Sequence, residues 1–232
     1  MVALTDKVIV ITGAGTGLGR ETAIQAVKAG AKVAACCRQE GNMISLQEEL
    51  SAFEGQLVAI KADVSIEAEV NAFVETTLST FGRIDVLINN AAIFESYEIA
   101  DSSLNSWERH FENNVTTAFL MSRATIPAMR KQKEGRIISL TTGLARQGAG
   151  GFGAYSASKA ALETLTYTIE EEEHANGITS YVFNPGVMKT ELQASGDNPK
   201  DVAPALLHIA SSSNITSRKI ITFEELRAEP MA

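Results

Sequence analysis

Tyr155 and Lys159 head an apolar helical run, Tyr155-Ser156-Ala157-Ser158-Lys159, and four-residue spacing stacks their side chains on one helix face. A phenol over an ammonium is an acid/base pair. The positive charge favours the phenolate, draws the tyrosine pKa towards working pH and lets the phenol give or take a proton. Tyr-x3-Lys also arises on ordinary solvated helices, so the pair gains meaning from a second motif near the start of the chain. Thr12-Gly13-Ala14-Gly15-Thr16-Gly17-Leu18-Gly19 follows the apolar run Val8 to Ile11 and precedes a helical run from Arg20 to Lys28. A strand that ends in glycines able to take positive φ, followed by a helix whose first N–H groups are unpaired, is a cradle for anionic phosphate oxygens. The Gly-x3-Gly-x-Gly spacing fits neither Gly-x-Gly-x2-Gly nor a P-loop, which would also need Gly-Lys-Ser/Thr.

Both motifs need a scaffold that delivers them to one place. Lys7–Ile11, Lys32–Cys37, Gln56–Lys61, Ile84–Ile88, Arg136–Thr141 and Ile178–Phe183 read as strands of nearly continuous apolar character, with helical patterns between them. Such strands suit a parallel sheet covered on both faces. The expected fold is α/β, a single-domain Rossmann-like doubly wound parallel sheet with helices on both faces, spanning residues 1–232. These sheets bind ligands beyond the carboxyl ends of their strands, so the residues just after each strand are the informative ones. Gly148 to Gly153 reads as a loop between a strand and a helix.

In sequence order these segments resemble the short-chain dehydrogenase/reductase family over nearly the whole chain. Thr12 to Gly19 is similar to that family's cofactor loop, Asp63-Val64 to its adenine contact, Asn89-Asn90-Ala91 to its sheet-stabilising segment and Asn114 to its active-site asparagine. Tyr155 with Lys159 is similar to its catalytic pair, and Pro185-Gly186-Val187-Met188-Lys189-Thr190 to the segment that meets the nicotinamide carboxamide. The resemblance implies hydride transfer between a nicotinamide cofactor and a ketone, aldehyde or secondary alcohol. It also implies roles. Tyr155 protonates the developing alkoxide, Lys159 holds the nicotinamide ribose and tunes Tyr155, Asn114 holds a water that resupplies the proton, and Thr142 bonds the substrate oxygen. The implied cofactor-binding set is Gly13, Thr16, Gly17, Leu18, Gly19, Arg38, Asp63, Val64, Asn90, Ala91, Tyr155, Lys159, Pro185, Gly186, Val187 and Thr190. Helices around Trp107 to Met129 and Tyr155 to Glu173 imply a homodimer or homotetramer. A dehydratase or epimerase would generally need a larger substrate domain than the short C-terminal region offers.

The chain departs from the family pattern at several points. Thr142 stands where the family has serine, thirteen positions before Tyr155, and adds a methyl beside the substrate. Thr141 should point to the opposite face of the strand. Ala92 replaces a glycine. The end of the second strand carries Cys37 and Arg38 where an NAD site would have a carboxylate, which favours NADP while leaving NAD possible. Between Thr190 and Pro199 the segment is shorter than the family's usual lid, so about 187–198 is the expected substrate-facing segment. Phe94, Leu144, Phe152, Val187, Met188 and Leu192 are its candidate pocket wall, and an open or shallow pocket follows. The tail lacks the family's Asp-Gly-Gly, which leaves a C-terminal strand open. The short lid and Thr142 also suit a rival reading, a regulatory or interaction protein that binds NADP without turning it over.

Composition agrees with a small-molecule enzyme. Of 232 residues 45% are apolar and 21% charged, the net charge is −8 and the pI near 5.0, an acidic balance that argues against nucleic acid or anionic membrane surfaces. No apolar stretch reaches membrane-spanning length, and the expected location is cytoplasmic. Cys36 and Cys37 are adjacent in a strand and face opposite ways, so no disulfide is expected. His110, His174 and His208 lack ligand spacing, so metal dependence is not expected. Glu170 to Glu173 reads as a solvated helix face. Arg130, Lys131, Lys133 and Arg136 suit the negative end of a helix or an acidic carrier protein.

Overall fold

The computed structural model describes residues 4–189, 195–212, 215, 217 and 219–228. Seven parallel strands lie in the order β3-β2-β1-β4-β5-β6-β7. They are β1 (Val8–Thr12), β2 (Lys32–Cys37), β3 (Leu57–Lys61), β4 (Val86–Asn89), β5 (Gly135–Leu140), β6 (Ile178–Asn184) and β7 (Ile220–Thr222). Strand order reverses between β1 and β4, and the carboxyl ends of those two strands open the crevice in which such sheets bind ligands.

One layer is α1 (Gly17–Lys28), α2 (Glu40–Glu49), α8 (Pro199–Ser211) and α9 (Phe223–Ala228), whose apolar faces share a core with Ile9, Ile11, Val33 and Phe183. The other layer includes α3 (Glu67–Phe81), α5 (Thr117–Gln132) and α7 (Gly153–Glu173), which pack on Val10, Ala34, Leu87 and Ile137. Alternate residues of one strand thus enter opposite cores, as the period of two requires. β1 is buried along its whole length, which explains its unbroken apolar sequence. The remaining helices, α4 (Leu104–Phe111) and the one-turn α6 (Leu144–Gln147), lie at the carboxyl side with the loops.

Six strands fall where the apolar runs place them, and Ile220–Thr222 pairs with β6 as a seventh. With three residues and half-buried ends, it is too short to show a period of its own. Of the segment from 148 to 153, residues 148–152 form a loop between α6 and α7, and Gly153 opens α7. Asn198 caps α8 by accepting from Lys200 N at 3.0 Å, with Pro199 opening the helix. The run Glu170–Glu173 is a solvated face only in part, since Glu171 and Glu172 are exposed. Glu170 and Glu173 are buried; Glu170 accepts from Ser180 N, and Glu173 takes Arg130 Nε at 2.8 Å and Asn176 Nδ2 at 3.0 Å. The basic quartet is likewise divided, because Arg136 donates to Ile209 O and lies over the Tyr181 ring while Arg130 is bound to Glu173.

Candidate active site

The glycine loop is built from β1 into α1, with Gly13 at φ +66° and Gly17 at φ +58°. Thr12 is buried, and its Oγ1 accepts from Asn90 N and Ala91 N, both at 3.1 Å. Asn90 Nδ2 donates back to Thr12 O at 2.9 Å and Gly13 O at 3.0 Å. The ends of β1 and β4 are therefore laced together. A Cβ on Gly13 would sit 2.8 Å from Ala91 Cα, and one on Gly19 would strike the Asn90 amide and the Gly13 carbonyl. Those two glycines permit loop packing. Around Gly17, by contrast, nothing lies within 4 Å of the Cβ position, so its backbone is free for close approach by a ligand. Thr16 precedes α1 in extended geometry and makes no side-chain cap, which leaves the first-turn N–H groups to an anion. Leu18 is buried in the core below, so of this expected contact only the backbone N–H is placed to serve.

Beside the loop lies a cleft of about 540 Å³, lined among others by Gly13, Thr16, Cys37, Arg38, Asp63, Val64, Asn90, Ala91, Ala92 and Asn113. At the β2 end Arg38 is exposed and donates Nη1 to Asn113 Oδ1 at 3.1 Å. Cys37 gives its thiol to Gln39 O at 3.2 Å, and burial pushes that thiol's pKa up. Cys36 points away into the opposite core, fully buried. Asp63 accepts from Ser65 N and Oγ at 3.0 and 2.7 Å, so its carboxylate shapes the β3 turn. A dinucleotide fits this cradle: a glycine loop open at Gly17, an uncapped helix start for phosphate, and a cation with no strand-end carboxylate at the adenosine end.

Tyr155 lies half-buried in the first turn of α7, and Lys159 is buried one turn on, where its Nζ donates to Leu140 O at 2.8 Å. Burial brings the Lys159 pKa down to about 8 and pushes Tyr155 up to about 12. The expected lowering of Tyr155 by its lysine is absent here. Both groups are governed by desolvation, which disfavours the charged form of each. Thr142 lies just past β5, with Leu144 N reaching its Oγ1 at 3.4 Å. Thr141 turns the other way, donating to Glu163 Oε1 at 2.6 Å.

Asn114 sits in a π-helical turn, Glu112–Thr116, that joins α4 to α5. Its Oδ1 accepts from Ile93 N at 2.7 Å, while Nδ2 donates to Ile93 O at 3.1 Å and Ser158 Oγ at 3.0 Å. Ser158 Oγ donates in turn to Tyr155 O at 2.8 Å. The carboxamide is thus committed to protein, and Asn114 positions the Ile93 loop against the first turn of α7.

After β6, Pro185 is buried and Gly186 N donates to Asn184 Oδ1 at 3.0 Å. Val187 to Lys189 are pinned to Asp197, whose N donates to Val187 O at 2.8 Å and whose O accepts from Lys189 N at 2.9 Å. Thr190 and Leu192 lie outside the described residues. Phe94 and Phe152 stack with centroids 5.2 Å apart, and Phe94 meets Tyr155 edge-on at 4.9 Å.

The contacts of two buried polar residues of this region escaped the sequence reading. Glu163 binds Thr141 and takes Arg146 Nε at 3.3 Å. His110 accepts from Glu95 N through Nε2 at 3.2 Å, with Nδ1 2.7 Å from Ser106 O. One signal was available for the first: Glu163, Glu170 and Glu173 share a helix face with Thr166 and Ile169, spaced at three and four residues. Among the described residues no three His, Cys, Asp or Glu side chains gather to hold a metal, and no helix is long and apolar enough to cross a membrane.

Comparison with known proteins adds three findings. The family profile described as short chain dehydrogenase matches residues 7–201. A 3-oxoacyl-[acyl-carrier-protein] reductase of Synechocystis sp. is 35% identical over 193 residues, which cover 83% of this chain and 78% of that protein, and an uncharacterized oxidoreductase of Staphylococcus aureus (strain USA300) is 28% identical along the full length of both. A crystal structure described as a short-chain dehydrogenase/reductase from Burkholderia xenovorans superposes with a TM-score of 0.87 at 25% identity, covering 96% of each chain.

Proposed function

Because the chain belongs to the short-chain dehydrogenase family, an oxidoreductase family acting between CH–OH and C=O with a nicotinamide cofactor, we propose that it is an NADP-dependent reductase of ketones or aldehydes. The observation that carries the reading is the half-buried Tyr155 phenol one turn from the buried Lys159, at the end of a sheet whose crevice fits a dinucleotide. The 3-oxoacyl reductase relative supports including 3-oxoacyl thioesters among the substrates.

In this reading Thr16, Gly17, Leu18 and Gly19 offer backbone N–H groups to the pyrophosphate, and Asp63, Val64, Asn90 and Ala91 line the adenosine side. Arg38 pairs with the 2′-phosphate, in a fork suited to bidentate phosphate binding. Pro185, Gly186 and Val187 would flank the nicotinamide, which when bound supplies the hydride to the carbonyl carbon. The Thr142 hydroxyl donates to the carbonyl oxygen and orients it. As charge develops there, the Tyr155 O–H bond breaks and its proton passes to that oxygen, leaving alcohol and phenolate. Lys159 supports the cofactor ribose. Exposed Leu104, Trp107 and Phe119 on α4 and α5 support pairing into a homodimer or homotetramer.

The test is oxidation of NADPH and of NADH with ketones, aldehydes and 3-oxoacyl thioesters, comparing wild type with Tyr155→Phe and Arg38→Asp. Turnover lost in Tyr155→Phe with cofactor affinity kept, and an NADPH/NADH ratio of kcat/KM that falls in Arg38→Asp, are the expected results. Tight NADPH binding without turnover across the panel would overturn the reductase reading in favour of a cofactor-binding regulator.

A further inference from the structure

Phe94 is an aromatic side chain left 49% exposed beside the reactive phenol, although the backbone on both sides of it is held firmly. On one side Ile93 gives its N–H and C=O to the buried Asn114 carboxamide. On the other, Glu95 N is held by the fully buried His110, while the Glu95 carboxylate accepts from Ser106 Oγ and Arg109 Nη1, each at 2.7 Å. The strip beyond is fastened to the loop before α7: Tyr97 N donates to Gly151 O at 2.8 Å, and Tyr97 bridges Phe152. Phe152 lies nearly parallel to Phe94, at 24°, and Tyr155 nearly perpendicular, at 86°.

A half-exposed benzyl group gains little stability from such support, because much of its apolar area stays in water. Fixing it pays only when a ligand covers it, since a ring immobilised beforehand loses no further rotamer freedom on binding. Its neighbours also define the shape it would accept. Three aromatic rings in offset and edge-on contact extend most favourably by another flat ring. We infer that Phe94 is a specificity-determining platform and that the group flanking the substrate carbonyl is an aromatic ring, making aryl ketones or aryl aldehydes the preferred class. This rests on the reductase reading for the position of the carbonyl at Tyr155. Phe94 touches the ring and takes no part in proton transfer.

The experiment compares an aryl methyl ketone with its cyclohexyl analogue, of equal size and without π faces, in wild type, Phe94→Leu and Phe94→Tyr. Stacking beyond buried area corresponds to roughly 3- to 10-fold in affinity. The aryl/cyclohexyl ratio of kcat/KM should fall by about that factor in Phe94→Leu, through KM, and be restored in Phe94→Tyr, with NADPH affinity unchanged in both. A ratio unmoved by Phe94→Leu, or a wild type that prefers the cyclohexyl ketone, overturns the platform. Calorimetric binding of the aryl ketone to the NADP-loaded protein separates the two readings. Phe94-dependent binding in a protein that turns over no carbonyl supports the platform and overturns the reductase, whereas binding indifferent to Phe94 overturns the platform alone.

Discussion

Removing the Glu163 carboxylate should loosen the turn that carries Thr142. Glu163 is buried, as is the Thr141 hydroxyl that donates to it at 2.6 Å. It also takes Arg146 Nε at 3.3 Å from α6, the single turn that follows Thr142. In Glu163→Ala the Thr141 hydroxyl is left unpaired in the interior, at about 1–3 kcal/mol, and a charge-assisted bond worth about 1.5–3 kcal/mol is lost; the two descriptions overlap, so roughly 2–4 kcal/mol is expected. For a domain of this size each kcal/mol lowers Tm by about 2–4 °C, giving a fall of roughly 4–16 °C. Glu163→Gln keeps an acceptor for Thr141 and loses the charge facing an Arg146 that is largely exposed, so it should cost only about 1 kcal/mol. Thermal melts of the three proteins are the assay, with carbonyl reduction measured well below Tm. There Glu163→Ala should lower kcat while cofactor affinity stays constant, since the cradle is built elsewhere. A Glu163→Ala protein that melts within roughly a degree of wild type, or a Glu163→Gln protein as damaged as Glu163→Ala, would refute the reasoning.

Gly13→Ala and Gly17→Ala both place alanine at positive φ, costing about 1–2 kcal/mol, but only the first drives its Cβ to 2.8 Å from Ala91 Cα. Melts and NADPH titrations should therefore diverge, with Gly13→Ala losing more stability and Gly17→Ala losing mainly cofactor affinity; equal melting points would count against this division. Lys159 folds with its pKa brought down to about 8 from 10.5, so between those values the unfolded chain holds more protons. Its burial penalty is complete below about pH 8 and shrinks as the pH rises towards 10.5. Lys159→Met should consequently be inactive yet more stable than wild type at neutral pH, with the two denaturation midpoints converging at alkaline pH. A stability difference that does not vary with pH would show that the lysine's burial is not what limits stability.

Much of the scaffold was legible because buried parallel strands write themselves as short apolar runs, as Lys32–Cys37 does residue for residue. Spacing also brought out the glycine loop, the Tyr155–Lys159 pair and the strand-end Arg38. What stayed hidden was tertiary partnership. Glu170 and Glu173 read as charge for solvent because a sequence does not show that Arg130, Asn176 and Ser180 N wait on the far side. Gly13 and Gly17 look alike as letters, and only the approach of Ala91 separates a packing glycine from an open one. Nor does the letter at 114 disclose that its carboxamide faces Ile93 and Ser158. The lysine's influence on Tyr155 was overestimated because burial acts on both groups at once.

The wide π-helical turn at Glu112–Thr116 lets two consecutive residues reach in opposite directions. Asn113 reaches back to Arg38 beside the cleft at the β2 end, and Asn114 reaches across to the loop and helix that carry Phe94 and Tyr155. Such a turn holds one residue more than a regular helix does, and each residue of an α-helix advances its neighbours by about 100° around the axis. Deleting a single residue here would restore an ordinary helix and swing α4, with His110 and Ser106, around relative to α5. Substitution away from Asn113 and Asn114 is therefore a local matter, but a change of length is not, and this stretch should keep its count and its asparagine at 114 among working relatives.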